Sequence, residues 1–166
     1  MITKVIDGAS SVIESKYPGV KKIDLQDHRS RRVWKDGATF HITQVCYVEV
    51  TNNKGNTYYN IGLDTDYGCI IYLSMLANSL KRVKGGDGKL KDLQLECDLF
   101  TVANKYRADL HPELKGKGEF WAANQILNDV KDKTIIVSRS PYYTVIGNRN
   151  GRMEEYETTF PLFNFL

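Results

Sequence analysis

Apolar and polar residues alternate most regularly from Phe40 to Val50, where Phe40, Ile42, Cys46, Val48 and Val50 share one parity and His41, Thr43, Tyr47 and Glu49 the other. A period of two is that of a strand with one buried and one open face. The Asn52-Asn53-Lys54-Gly55-Asn56 cluster is rich in residues that tolerate positive φ. It predicts a reversal, after which Tyr59, Ile61 and Leu63 resume the alternation as the second strand of a hairpin. Gly68 to Leu73 is a short apolar run and predicts a third strand. Ser74 then stands where an N-cap would, ahead of Leu76, Leu80 and Val83 at helical spacing, so a helix over 74–84 is expected to end at Gly85-Gly86. Leu93, Leu95, Cys97 and Leu99 alternate with Gln94, Glu96 and Asp98, which predicts a further strand over 93–105.

Pro112 and Gly116-Lys117-Gly118 mark a loop. Phe120, Ala123, Ile126, Leu127 and Val130 then repeat with a helical period over 119–131. Thr134 to Val137 begins a strand expected to run around Pro141 through Tyr142 to Ile146. The Gly147-Asn148-Arg149-Asn150-Gly151 stretch turns the chain, and Arg152 to Phe165 returns with Tyr156, Phe160 and Leu162 inward; Pro161 implies an edge strand or a bend there. At the N-terminus, Val5, Ile6, Ala9, Val12 and Ile13 predict a helix over 3–16 that Tyr17-Pro18-Gly19 stops. The order, dominated by hairpins over βαβ crossovers, predicts an α+β fold with a mainly antiparallel sheet and two or three helices. One domain over 1–166 is expected, with a helix and a basic extended segment in 1–35 ahead of a β-rich core in 38–166.

Composition agrees with a single globular unit: 166 residues, 42% hydrophobic and 26% charged. A chain of this length buries roughly 70% of its unfolded surface, so it needs neither disulfides nor metal to hold a core. Cys46, Cys69 and Cys97 sit singly in apolar runs and read as small buried thiols, which predicts a reducing, cytoplasmic compartment. No run approaches the ~18 apolar residues of a membrane span, and the N-terminus lacks a signal-peptide core, so a soluble, unprocessed chain without membrane partners is expected.

Candidate chemistry is thin. The isolated cysteines and His28, His41 and His111 lack the paired spacing of structural zinc ligands. No serine stands in a nucleophile elbow, and the odd separation of His41 and Cys46 puts them on opposite faces of one strand. His41-Ile42-Thr43 has the His-x-Thr form of two-histidine phosphoesterases, but a second copy is missing. Lys84-Gly85-Gly86-Asp87-Gly88-Lys89 lacks the phosphate-loop pattern and reads as a loop. No catalytic residue, metal or cofactor is therefore assigned, and hydrolysis of a phosphodiester through His41 stands third among the functional readings.

Charge is segregated. Lys16, Lys21, Lys22, Arg29, Arg31, Arg32 and Lys35 face only Asp24 and Asp27 in the first basic segment, and Lys81, Arg82, Lys84, Lys89 and Lys91 make a second. Acidic residues gather at Glu154, Glu155 and Glu157. Tyrosines lie on or beside the predicted strands, where rings can stack on unpaired bases while cations track phosphates. The leading expectation is a non-catalytic module for single-stranded nucleic acid. Arg29, Arg31, Arg32, Lys81, Arg82 and Lys84 supply phosphate contacts in it, with Trp34, Tyr58 and Tyr142 as stacking platforms. The competing expectation is a structural or assembly protein that forms a homo-oligomer or meets a partner through Phe160, Leu162, Phe163 and Phe165 of its apolar C-terminal run.

Three strands, a helix and two strands within 40–165 resemble the order of oligonucleotide-binding (OB) barrels, which implies a partly open barrel whose strand face accepts single strands. The helix expected at 74–84 and the strand at 93–105 are additions to that five-stranded plan. Phe120-Trp121 opening a helix, Lys133 to Val137 after it, and Tyr142-Tyr143 before a Gly-Asn hairpin resemble small phage-encoded β-rich proteins. That likeness implies a replication-associated DNA binder or an auxiliary virion component, located in the cytoplasm or in the virion.

Overall fold

The structure, a computed structural model, describes residues 4–5, 13, 16–23 and 34–166. Its framework is the predicted hairpin: β4 (Ile42–Thr51) pairs antiparallel with β5 (Thr57–Thr65) from Ile42↔Thr65 to Thr51↔Thr57. The Asn52 side-chain oxygen accepts from the N–H groups of Lys54 (2.9 Å) and Asn56 (3.0 Å), closing the turn as its composition predicts. Strand β6 (Ile70–Tyr72) continues the meander. Strand β1 (Lys4–Val5) pairs antiparallel with the other end of β5, and β2 (Lys21–Lys22) runs parallel to β4, completing a five-stranded sheet.

Strict alternation over 40–50 does not hold, because a bulge falls between Ile42 and Gln44. An extra residue resets the parity of the strand. Val45 and Tyr47 consequently join Phe40 and Ile42 in the main core, while Cys46 and Val48 are buried on the opposite face. Tyr47, expected on the open face, meets Tyr59 and Phe120 edge-on with ring centroids 5.1 and 5.8 Å away.

Ahead of the bulge, β3 (Thr39–Phe40) belongs to a second sheet, where it flanks β9 (Ile135–Arg139), whose other neighbour is β12 (Pro161–Phe165). The segment from Thr39 to Thr51 thus passes from one sheet into another. Pro161 opens an edge strand, where its missing N–H costs nothing. Helices α1 (Leu73–Ala77), α2 (Asp98–Asn104) and α3 (Glu119–Val130) cover the core, with Phe120, Ala123, Ile126 and Val130 of α3 facing inward as their spacing predicts.

Further sequence expectations need correction, among them the single return strand over 152–165, which is two strands in different sheets. The helix over 74–84 stops at Ala77, with Ser74 inside it, and Leu80–Lys84 is strand β7, paired antiparallel with β8 (Leu90–Gln94). Gly85 to Lys89 is the turn of that hairpin: Gly88 takes φ +81°, and Asp87 accepts the Lys89 N–H at 3.0 Å. The strand over 93–105 ends at Gln94, because Leu99, Phe100, Val102 and Ala103 make the inward stripe of α2. The strand through Pro141 is two strands in different sheets. Ser140 pairs with Phe160, and Tyr143–Arg149 (β10) turns back through Asn150 (φ 55°) and Gly151 (φ 81°) into β11 (Arg152–Thr158). Two positive φ values in a two-residue turn suit the right-handed twist of a hairpin.

Both hairpins join in a four-stranded sheet of order β11-β10-β7-β8, through the antiparallel register Thr144↔Lys84. The chain is thus a mixed α+β fold of three mainly antiparallel sheets, and its described strands do not close into a barrel. At the N-terminus Lys4–Val5 is strand and not helix, and Ile13 is helical; the other residues of the helix expected over 3–16, Lys16 excepted, lie outside the described residues, as do 24–33 of the basic segment. No described helix is long and apolar enough to cross a membrane.

Candidate nucleic-acid interface

The four-stranded sheet gathers the second basic segment on one hairpin. Alternation along β7 sends Lys81 and Val83 to the inner face and Leu80, Arg82 and Lys84 to the solvent face. Val83 is fully buried, whereas Leu80 and Arg82 are exposed. Lys81 is half-buried with its Nζ 5.5 Å from the centroid of the Phe160 ring, and burial pulls its ammonium below the ordinary lysine value. Arg82 pairs with Asp92 at 3.6 Å, and Lys84 donates to both carboxylate oxygens of Glu155 at 3.2 and 3.3 Å. Lys89 and Lys91 are exposed, and no ion pair engages them among the described residues.

The neighbouring hairpin adds residues that composition alone does not single out. Arg149 and Arg152 flank the Asn150-Gly151 turn, and the Arg149 guanidinium lies 4.8 Å from the Tyr156 ring. Tyr142 stands two residues before Thr144, the register partner of Lys84, and is 75% exposed. Tyr143 instead stacks on Phe160 at 6.3 Å. The signal for Arg149 and Arg152 is the Asn-Gly turn itself, since cations at the ends of a two-residue hairpin share its tip.

Other candidates lie elsewhere. Trp34 is built into the aromatic edge of the core: it stacks on Tyr67 at 5.0 Å and meets Phe40 and Phe163 at 5.2 and 5.1 Å. Tyr58 is half-buried on β5 of the five-stranded sheet. Arg29, Arg31 and Arg32 lie outside the described residues. Lys81, Arg82, Lys84 and Tyr142 are thus brought to one sheet, and Trp34 and Tyr58 are not.

The C-terminal run is an intramolecular strand. Phe163 is fully buried, and Phe160, Leu162 and Phe165 are half-buried against the core, so Phe163 cannot reach a partner as the assembly reading expects. Cys46 and Cys97 are buried and Cys69 is half-buried; none forms a disulfide among the described residues. Burial pushes the Cys46 thiol up to about 12.

His41 holds a position its sequence does not announce. Asp66 Oδ2 lies 2.9 Å from its Nδ1 and Thr134 Oγ1 lies 3.1 Å from its Nε2, while Asp66 Oδ1 accepts the His41 backbone N–H at 2.7 Å. Burial alone would raise the Asp66 carboxyl, but the His41 hydrogen bonds outweigh it and hold the group below the usual carboxylate range. Carboxylate, imidazole and hydroxyl in that order could activate a nucleophile. Here the imidazole and carboxylate are about half exposed, with side-chain exposures of 53% and 48%, and the trio ties the turn after β5 to the start of β9. Among the described residues, no cluster of His, Cys, Asp and Glu could hold a metal ion. Set beside known protein families, curated proteins and solved structures, the chain matches none.

Proposed function

We propose that the chain is a non-catalytic binding protein that takes single-stranded nucleic acid across its four-stranded sheet. The observation that carries this reading is the register Thr144↔Lys84, which sets the cationic β7–β8 hairpin beside the hairpin that Tyr142 precedes and Arg149 and Arg152 tip. Phosphates along the solvent face of β7 and the turn after it would meet Arg82, Lys84 and Lys89, and Tyr142 offers an uncovered ring to a base. The ion pairs of Arg82 and Lys84 join exposed groups and are worth about 0–1 kcal/mol each, so a phosphate can replace either carboxylate. Strand order supports the same reading. A strand shared between two sheets and a three-stranded meander, followed after three helices and a hairpin by the paired strands β9 and β12, resemble the order of OB barrels, although the described strands do not close into one.

Three phosphate contacts on a single strand give a slope of log affinity against log salt of about −2, so affinity should fall about twentyfold between 50 and 200 mM salt. Polarisation of a labelled oligothymidylate measures it. The double variant Arg82→Glu, Lys89→Glu should bind more weakly and with about a third of that slope. An unchanged slope, or no binding at micromolar protein in low salt, overturns the proposal.

One observation favours a second reading, that of an assembly protein. Leu80, Leu90, Ile146 and Met153 are exposed on the same solvent face of this sheet, which would dock a partner where the C-terminal strand cannot. Molecular mass in solution, with and without oligonucleotide, separates the two: a stable oligomer indifferent to oligonucleotide belongs to the assembly reading.

A further inference from the structure

A cavity of about 510 Å³ opens between α1, α2 and α3, within the range that encloses small ligands. Leu73, Leu76, Trp121 and Ile126 are among its apolar lining residues, and Arg107, Asp109, Lys115 and Glu119 are the charged ones. Arg107 donates through Nε and Nη2 to the two oxygens of Asp109, at 3.1 and 2.6 Å, and through Nη1 to Asn104 Oδ1 at 3.1 Å. The two partners differ in burial: 18% of the Arg107 side chain is exposed against 64% of that of Asp109.

A guanidinium fixed in the lining of a largely apolar cavity is a planar fork for a carboxylate. Its present partner is the carboxylate of a residue two positions on in the chain, exposed enough to swing into water. We propose that the cavity binds a monocarboxylic acid with an apolar body, its carboxylate replacing that of Asp109 on Arg107. The walls take the apolar body, and the exchange of one carboxylate for another leaves the charge at the fork unchanged. A polyphosphate fits less well, because Asp109 and Glu119 balance Arg107 and Lys115 among the lining residues. The hydrogen bond from Arg107 also holds the Asp109 carboxyl below its ordinary value, so Asp109 is ionised at neutral pH and competes with the ligand.

Decanoate and decanol, kept below the micelle concentration, share an apolar body and differ in charge. Trp121 emission and the melting temperature should both respond saturably to decanoate, and decanol should bind at least about tenfold more weakly, since a hydrogen-bonded charge is missing. Asp109→Asn removes the competitor and should tighten decanoate several-fold while leaving decanol unchanged. Arg107→Gln should reduce decanoate to the level of decanol. If that variant does not fold, Asp109→Asn decides alone. Equal binding of acid and alcohol, no response to either, or Asp109→Asn leaving decanoate unchanged or weaker overturns the proposal. None of these outcomes bears on oligonucleotide binding, which involves the four-stranded sheet and not these helices.

Discussion

Replacing Phe163 by alanine tests the docking of the C-terminal strand, on which the choice between an intramolecular and an intermolecular role for residues 160–166 depends. The Phe163 ring is 0% exposed, edge-on to Trp34 at 5.1 Å and to Phe40 at 5.9 Å, and its strand pairs with β9 from Pro161↔Arg139 to Phe165↔Ile135. Its neighbours belong to different elements, so the space it leaves cannot collapse by moving one of them. A phenylalanine truncated in such a place costs about 3–5 kcal/mol. At about 2–4 °C per kcal/mol for a chain of this length, Phe163→Ala should melt about 6–20 °C lower. Urea unfolding followed by tryptophan emission is the direct assay, because Trp34 touches the altered site; the midpoint should fall with little change in m. Phe165 is half-buried on the same strand, with the Lys133 ammonium 5.1 Å from its ring, and its truncation should cost less. A loss under about 1 kcal/mol for Phe163→Ala would refute the packing argument. So would a chain shortened by residues 160–166 that stays as stable as the parent but loses an oligomer.

Two further outcomes follow from burial in the five-stranded sheet. With its thiol pushed up to about 12, Cys46 should resist alkylation at pH 8 until the chain unfolds; peptide mapping that finds it labelled in native protein as fast as in urea would contradict that. At Gly62, an added Cβ would lie 2.5 Å from Ile70 Cγ2 and 3.1 Å from the Ile71 carbonyl oxygen. The Ile70 side chain can rotate away and the β6 backbone cannot, so Gly62→Ala should destabilise by about 1–3 kcal/mol; an unchanged urea midpoint would count against this close approach of β5 and β6.

Where local chemistry and burial agree, the sequence suffices. The Asn52–Asn56 reversal, a turn within 147–151 that the structure narrows to Asn150-Gly151, the inward stripe of α3 and the edge position of Pro161 all follow from φ preference, helical period or a missing N–H. It fails where one pattern serves two periods. Leu76, Leu80 and Val83 lie at helical spacing, yet Leu80 and Val83 also fit a strand, and the glycines after Lys84 suit a hairpin turn as well as a helix end. Leu99 closes the alternation that begins at Leu93 and opens the stripe of α2, so the change of period has no marker. The bulge after Ile42 is likewise silent, and it moves Tyr47 from the expected solvent face into the core. For the site, charge clustering singles out Lys81, Arg82 and Lys84 but not Glu155, the partner of Lys84 across the sheet, 71 residues on. Asp66 and Thr134, which hold the His41 ring from positions 25 and 93 residues distant, are invisible for the same reason.

The β7–β8 and β10–β11 hairpins form a sheet of their own. The β7–β8 hairpin lies between α1 and α2 in the chain, and the β10–β11 hairpin between β9 and β12; each hairpin finds its sheet partner in the other. An isolated two-stranded hairpin is marginal in water, so each hairpin stabilises the other, with Val83 and Val145 buried outside the main core cluster. Of the two hairpins, only Leu93 of β8 is among the partly buried residues packed against the core that Phe40, Tyr47, Leu63, Leu99 and Phe163 fill. Selection for stability of that core therefore does not explain the cations, the exposed Tyr142 or the apolar side chains on the solvent face. Such a sheet is free to carry recognition, and a partner that reads it would be met by both hairpins at once.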